Sequence, residues 1–273
     1  MSKQIRVLGC GSAFSRKNYN SCFLFEVTVT EGQTRRLLID CGRTTPEAIQ
    51  EAGLNWGDID AVAITHLHAD HIGGLEEFAL YRYFVTKVKP ILYIEESLAE
   101  DLWQHSLRGG LGCIEGKAAT LDTFFDVVRL GANSSLSVDG ENRAGVFSNM
   151  LVGFFPVEHT IDNNRPNLAF GVTLGDKDRH DVVISGDART FSMKHWLGKS
   201  DQVKLFLHDC ETSDFHSGVH AHFEELNELL DSEFLQSLKK KMWLYHYQDG
   251  NLPDANKAGF AGFVKQGQVI DLS

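Results

Sequence analysis

Three imidazoles and a carboxylate fall within six residues of the stretch Thr65-His66-Leu67-His68-Ala69-Asp70-His71-Ile72-Gly73-Gly74. His66 and His68 are two apart in a segment that reads as extended, so their rings can point the same way and bind one metal. Asp70 and His71 follow where the chain enters the next turn, and they can face a second. Imidazole and carboxylate ligands suit zinc, manganese or iron rather than calcium. The strand-like run Ala61-Val62-Ala63-Ile64 leads in and a helix-like segment begins near Leu75, with two glycines between. A surface loop rich in histidine by chance would lack that frame.

The elements that must position such residues can be read along the chain. Residues 5–9, 21–27 and 36–40 read as strands that follow one another before any helix, which predicts an antiparallel start. Gly9-x-Gly11 is therefore no dinucleotide fingerprint, because it lacks the third glycine and the βαβ setting. Helices are expected over 45–53, 75–84, 97–107 and 221–230, and strands over 91–94, 124–128, 144–155 and 168–174. The glycine-rich 108–112 reads as a flexible link with one use as a lid, 131–142 as a polar loop, and Lys239-Lys240-Lys241 as the solvated end of a helix. Asp101 and His105, four apart, read as a solvent-facing pair.

Polar ligand-type residues recur just past strand ends. The strands deliver Asp40, His66, His159, then Gly186-Asp187, then His208-Asp209, and finally His246. Strand ends that converge on one edge are where α/β proteins build sites. Asp40 ends a strand that reads as buried, where a carboxylate is costly unless hydrogen-bonded, so it is expected to support a ligand from behind. Both halves run strands then helices, which predicts an α/β (α+β) fold with four αββα layers in one domain over residues 1–273.

The whole chain sets limits. Its 273 residues carry 42% apolar and 23% charged side chains, ordinary for a soluble protein. The formal net charge of -11 argues against broad nucleic-acid binding, though not against a small anion, since metal ions bring their own positive charge. Five scattered cysteines without a CxxC pair, no secretory segment at Met1–Arg6 and no membrane-length apolar run predict a cytoplasmic protein.

His66-x-His68-x-Asp70-His71, then His159, Asp187 and His246, resemble in order the ligand motifs of the metallo-β-lactamase fold superfamily. The likeness covers essentially the whole chain. It implies two divalent ions, zinc foremost and manganese as an alternative. His66, His68 and His159 would hold one, and Asp70, His71 and His246 the other, with Asp187 and a hydroxide bridging them. His71 beside Asp70 separates the motif from flavodiiron-type oxygen reductases, which carry Glu in place of the second His. Asp187-Ala188-Arg189, His208-Asp209-Cys210-Glu211-Thr212 and Val219-His220-Ala221-His222 resemble the branch of ribonuclease Z and the cyclic nucleotide phosphodiesterases. That likeness implies that His220 contacts the scissile phosphate and protonates the departing oxygen, while Asp209 orients His220.

Two departures from ribonuclease Z shape the substrate expectation. Asp209 stands where that enzyme has Glu, and only 27 residues lie between His159 and Asp187, too few for its transfer-RNA arm. The expectation is a dinuclear-metal phosphodiester hydrolase acting on a small phosphodiester such as a cyclic nucleotide, with long RNA or DNA and membranes disfavoured. Asp70, Asp209 and His220 are the catalytic candidates; Arg165, Asn167 and His220 are the candidates for binding substrate. Branch members are often homodimers, which sets the expected partner. A ribonuclease Z-type nuclease, a lactonase or β-lactamase-type carbonyl hydrolase and a non-catalytic metal-binding protein are the alternatives. His208 and His216 read as structural or exposed, and His222 has no assigned role.

Overall fold

The computed structural model describes residues 2–30, 32–132, 135–137, 150–162, 165–166, 168–176, 179–189, 196 and 200–273. β1 (Ser2–Gly9), β2 (Cys22–Thr30) and β3 (Gln33–Ile39) form an antiparallel meander. Pairing then turns parallel through β4 (Ala61–Ile64) and β5 (Ile91–Glu95). Beyond the small hairpin of β6 (Cys113–Ile114) and β7 (Lys117–Ala118), β8 (Asp126–Leu130) extends the parallel half. Parallel neighbours need long crossovers, and these contain α1 (Thr45–Glu51), α2 (Ala69–Ile72), α3 (Leu75–Tyr81), α4 (Glu96–Asp101), α5 (Arg108–Leu111) and α6 (Leu121–Phe124). Every residue of β4 and β5 is buried, as apolar runs in parallel strands covered on both faces should be.

The second sheet repeats the scheme. β9 (Ser135–Ser137), β10 (Leu151–Val157), β13 (Ala169–Asp176) and β14 (Arg179–Ile184) pair antiparallel. The two-stranded ribbon of β11 (Ile161–Asp162) and β12 (Arg165–Pro166) lies between β10 and β13 in the chain. β15 (Val203–Asp209), β16 (Met242–Tyr245) and β17 (Gly262–Phe263) then add in parallel, with α7 (Phe223–Leu229) and α8 (Gln236–Lys239) in the connection after β15. Among the described residues each of the two large sheets has seven strands, and β18 (Val269–Asp271) leaves the second half to pair with β1 of the first.

Alternation along the strands builds the layers. Val182, Ile184, Leu205 and Leu207 join Phe23, Phe25 and Tyr245 in one core cluster. Their neighbours Val183 and Phe206 turn the other way and pack with Phe223, Leu226 and Leu230 around α7. The ring of Phe23 meets that of Tyr245 edge-on at 5.0 Å, a direct contact from one sheet to the other. Burying one such aromatic or aliphatic side chain contributes roughly 1.5–3 kcal/mol. The four-layer αββα sandwich expected from the sequence is the fold observed.

Several local expectations change. Residues 108–112 are not a free link: the helix runs on through a π-helical stretch at Leu102–Leu107 into α5, where Leu111 is buried. The residues expected as a strand from 124 begin instead with a helical turn, because Thr120 and Thr123 form a capping box, and the strand starts at Asp126. Lys239 is buried rather than solvated; its ammonium donates to Asn227 Oδ1 at 2.7 Å and lies 4.9 Å from the centre of the Phe260 ring. Residues 138–149, part of the expected loop and strand, lie outside the described residues. No described helix is long and apolar enough to cross a membrane.

Candidate active site

β3 and β4 end side by side, and the residues just past them interlock. Asp40 adopts a left-handed backbone at φ 62°, with its carboxylate buried. Oδ1 accepts from the Thr65 amide at 2.9 Å, while Oδ2 takes the Thr65 hydroxyl at 2.8 Å and His71 Nδ1 at 2.7 Å. Thr65 Oγ1 also lies 3.1 Å from His66 Nδ1. The short helix α2 then carries Asp70 and His71 inward. It sits so close to the preceding loop that a Cβ on Gly42 would fall 1.9 Å from the Asp70 carbonyl oxygen, so only glycine fits there.

The second sheet supplies the facing residues. His159 follows β10 and donates Nδ1–H to the Val219 carbonyl at 2.8 Å, which turns Nε2 toward the centre. Gly186 follows β14 at φ 64°, where L side chains are strained, and this bend swings Asp187 into the site. His246 follows β16, its amide bonded to the Cys10 carbonyl at 2.8 Å and its Nδ1 3.1 Å from Ser21 Oγ.

These residues meet in two groups that share one carboxylate. His66, His68, His159 and Asp187 place ligand atoms within 4.8 Å of one another, and so do Asp70, His71, His246 and Asp187. Asp187 Oδ2 is 3.3 Å from His71 Nε2 and 3.8 Å from both His66 Nε2 and His159 Nε2. His159 Nε2 and His68 Nδ1 face each other at 3.2 Å. With His159 Nδ1–H already donated to Val219, its Nε2 presents a lone pair there.

The electrostatics match a cation site. Burial holds His66 well below the ordinary histidine value, and lowers His68 and His159 as well, so these rings are neutral and ligand-ready at pH 7. Burial pushes Asp187 upward, but the rings of His246 and His71 outweigh it and keep the carboxyl well below its usual range. Burial likewise opposes charge on His71, yet Asp187, Asp40 and Asp70 raise it well above 6.5. His66 Nε2, His71 Nε2 and Asp187 Oδ1 are buried without a hydrogen-bond partner. Buried polar atoms left without hydrogen bonds are costly, and two divalent cations between these donors would satisfy them. The residues present therefore fit the metals that the resemblance implies.

Beside this centre, Asp209 lies fully buried at the end of β15 and its Oδ2 accepts from His220 Nδ1 at 2.8 Å and from the Ala188 amide at 2.8 Å. His220 Nδ1 is 3.9 Å from Asp187 Oδ2, and the ring stacks on His246 with centroids 4.6 Å apart. Burial opposes charge on His220, but Asp209 and then Asp187 raise it to about 10.

Other expected residues divide. His222 is buried, stacks on His216 at 3.7 Å and caps α7 by accepting from the Glu224 amide, while its Nε2 donates to the Ser213 carbonyl. His208 is buried and His216 is exposed, paired with Glu225. Asp101 and His105 form the exposed pair expected. Asn167 lies outside the described residues, and of Arg165 only the backbone, in β12, is described. The sequence reading missed Thr65, Ser21 and the Val219 carbonyl, all of which touch candidate ligands. For Thr65 a signal existed, its place between a strand end and the first histidine.

The fold and this double cluster define a metallo-β-lactamase-fold hydrolase. Among solved structures, the metallo-β-lactamase fold protein YhfI from Bacillus subtilis superposes with a TM-score of 0.70 at 17% identity, covering 99% of this chain and 100% of that one. The family described as Anti-Pycsar protein Apyc1 matches residues 3–270, and the chain belongs to it. It is 39% identical over 246 residues to the Anti-Pycsar protein Apyc1 of Paenibacillus harenae, covering 90% of each chain. It is 35% identical over 271 residues to the protein of the same name from Bacillus phage BSP38, covering 98% of each.

Proposed function

We propose that His66, His68 and His159 hold one divalent ion, that Asp70, His71 and His246 hold the other, and that Asp187 serves both. The chain is a metal-dependent cyclic nucleotide phosphodiesterase. When bound, the two ions supply Lewis-acid charge for the phosphoryl oxygens and lower the pKa of water. The remaining chemistry is the protein's own. His220 keeps a proton at neutral pH, because the Asp209 carboxylate takes its Nδ1–H and stabilises the imidazolium. Its Nε2–H is then available to the departing 3′ or 5′ oxygen, where general-acid help belongs. Asp209 is fixed in turn by the Ala188 amide, so the ring has one orientation. Asp40 positions His71 from behind.

The observation that carries this reading is the 2.8 Å pair of His220 and Asp209, set 3.9 Å from the carboxylate shared by both ligand groups. The pair lies in the stretches that resemble the phosphodiesterase branch, and that context favours a phosphodiester over a carbonyl substrate. The short stretch between His159 and Asp187 and the charge of -11 favour a small substrate over a long RNA. The family name directs the first tests to cyclic pyrimidine nucleotides. We take zinc as the resident metal with manganese as the alternative, a single domain over residues 1–273, a homodimer, and the cytoplasm as the compartment. Five free cysteines, four of them buried, support the last point. Arg165 and Asn167 are proposed to contact the substrate.

The test is a panel of 3′,5′-cyclic nucleotides, bis-p-nitrophenyl phosphate, pre-transfer RNA, a homoserine lactone and nitrocefin, offered to the metal-loaded protein. Turnover of cyclic nucleotides, with the lactone and nitrocefin untouched, is the expected result. Lactone hydrolysis without any phosphodiester turnover would overturn the reading.

A further inference from the structure

The Thr65 hydroxyl has one proton and three close neighbours. Asp40 Oδ2 is 2.8 Å away, Asp40 Oδ1 3.0 Å and His66 Nδ1 3.1 Å. If the proton pointed at His66, two oxygens would face each other at 2.8 Å with no hydrogen between them, deep in the protein. The proton therefore goes to the carboxylate, and Thr65 Oγ1 accepts from His66 Nδ1–H. That fixes the His66 tautomer and leaves the Nε2 lone pair facing Asp187. The same Oδ2 accepts Nδ1–H of His71 at 2.7 Å.

The geometry points to Thr65 as a positioning residue through which one carboxylate, Asp40, sets imidazoles in both candidate metal sites, directly for His71 and by relay for His66. The two sites are thus coupled behind the ligands as well as in front, where Asp187 is shared. This rests on the two-metal reading above. It goes beyond it by predicting unequal effects: removing the Thr65 hydroxyl unsettles one site, and neutralising Asp40 unsettles both.

The experiment compares wild type, Thr65→Val, Thr65→Ser and Asp40→Asn. Each is checked for folding by thermal melting, then titrated with zinc against a chromophoric chelator. Nitrogen-15 long-range NMR on the metal-free protein reads the His66 tautomer. Wild type and Thr65→Ser should show His66 protonated at Nδ1 and bind two tight ions. Thr65→Val should lose that tautomer and bind one ion roughly 10–100-fold more weakly, the range seen when partners of metal ligands are removed. Asp40→Asn should weaken both. If Thr65→Val keeps the tautomer and both affinities, or weakens the two ions equally, the relay is wrong. A wild type that binds no metal overturns the two-metal reading instead, while the tautomer spectrum still decides the relay. If Thr65→Val does not fold, Thr65→Ser and Asp40→Asn decide the matter: a wild-type-like Asp40→Asn, or a Thr65→Ser unable to restore the Nδ1 tautomer, overturns the relay.

Discussion

Asp209 Oδ2 and His220 Nδ1 lie 2.8 Å apart; the pair comes within 4.8 Å of ligand atoms of Asp187 and His246 but is separate from the three-histidine group. The separation predicts a separation of effects. His220→Ala should lower kcat by a factor on the order of 10²–10⁴, the usual worth of a positioned acid, with metal content unchanged. Steady-state kinetics and elemental analysis of the same sample check both halves. Loss of an ion on substitution would place His220 among the ligands instead.

The same pair predicts a pH dependence. His220 titrates near 6.5 when unfolded and at about 10 in the metal-free fold, against the opposition of burial and because of Asp209. A raised folded value contributes stability that is fully present below pH 6.5 and lost as the pH rises through about 10. The stability difference between metal-free wild type and His220→Gln should therefore shrink steadily over that window. Denaturant midpoints measured from pH 6 to 10 would show it, and a difference that stays constant would contradict the assignment.

Gly186 precedes Asp187 at φ 64°, and a Cβ there would meet the Phe170 carbonyl oxygen at 2.5 Å. Gly186→Ala should destabilise the protein by about 1–3 kcal/mol through backbone strain. It should also weaken both metal sites, because the shared carboxylate moves. Urea unfolding and zinc titration of one preparation test the two effects together.

Asp249 gathers the loop that follows β1. Its carboxylate accepts from Ser15 Oγ, the Arg16 and Lys17 amides and Asn18 Nδ2. Slight burial would raise its pKa, but the Ser15 hydroxyl and those amides lower it below the ordinary value. The loop's stability is then present above pH 3.8 and lost as the pH falls through the depressed value. Amide exchange at residues 16–18 should accelerate in Asp249→Ala at pH 7, with the rest of the chain protected as before.

Chelation supplies the last test. Stripping metal should abolish phosphodiester turnover and lower the melting temperature, because the unpaired atoms of His66, His71 and Asp187 lose their cations. Zinc or manganese should restore both. Turnover that survives exhaustive chelation would refute the two-metal proposal.

Much of this was legible in residue order. Apolar runs ending in Asp40, His159, Asp187, Asp209 and His246 marked strands whose ends gather, and runs as apolar as those of β14 and β15 are buried on both faces, with alternate residues joining different core layers. The links between those ends were less legible. The Val219 carbonyl that turns His159 is a backbone atom, and no side chain announces it. Thr65 reads as an ordinary polar residue until Asp40 is placed beside it. Lys239 looks solvated from its run of lysines, and its burial rests on Asn227, Asp231 and Phe260, which the run itself does not reveal. His222 carries the chemistry of a ligand but spends both nitrogens on holding a loop and a helix start.

The pairing of β18 with β1 has a consequence for biosynthesis. Gln4 finds its partner at Asp271, so the first sheet keeps an open hydrogen-bonding edge until residues 269–271 have been translated. An open edge invites pairing with other chains, and domains otherwise begin to fold from their amino-terminal side as they emerge. His246 also arrives late. The ribosome-bound chain thus carries a sticky edge and an unfinished centre at once, and nascent chains stalled before β18 should be both inactive and prone to aggregate.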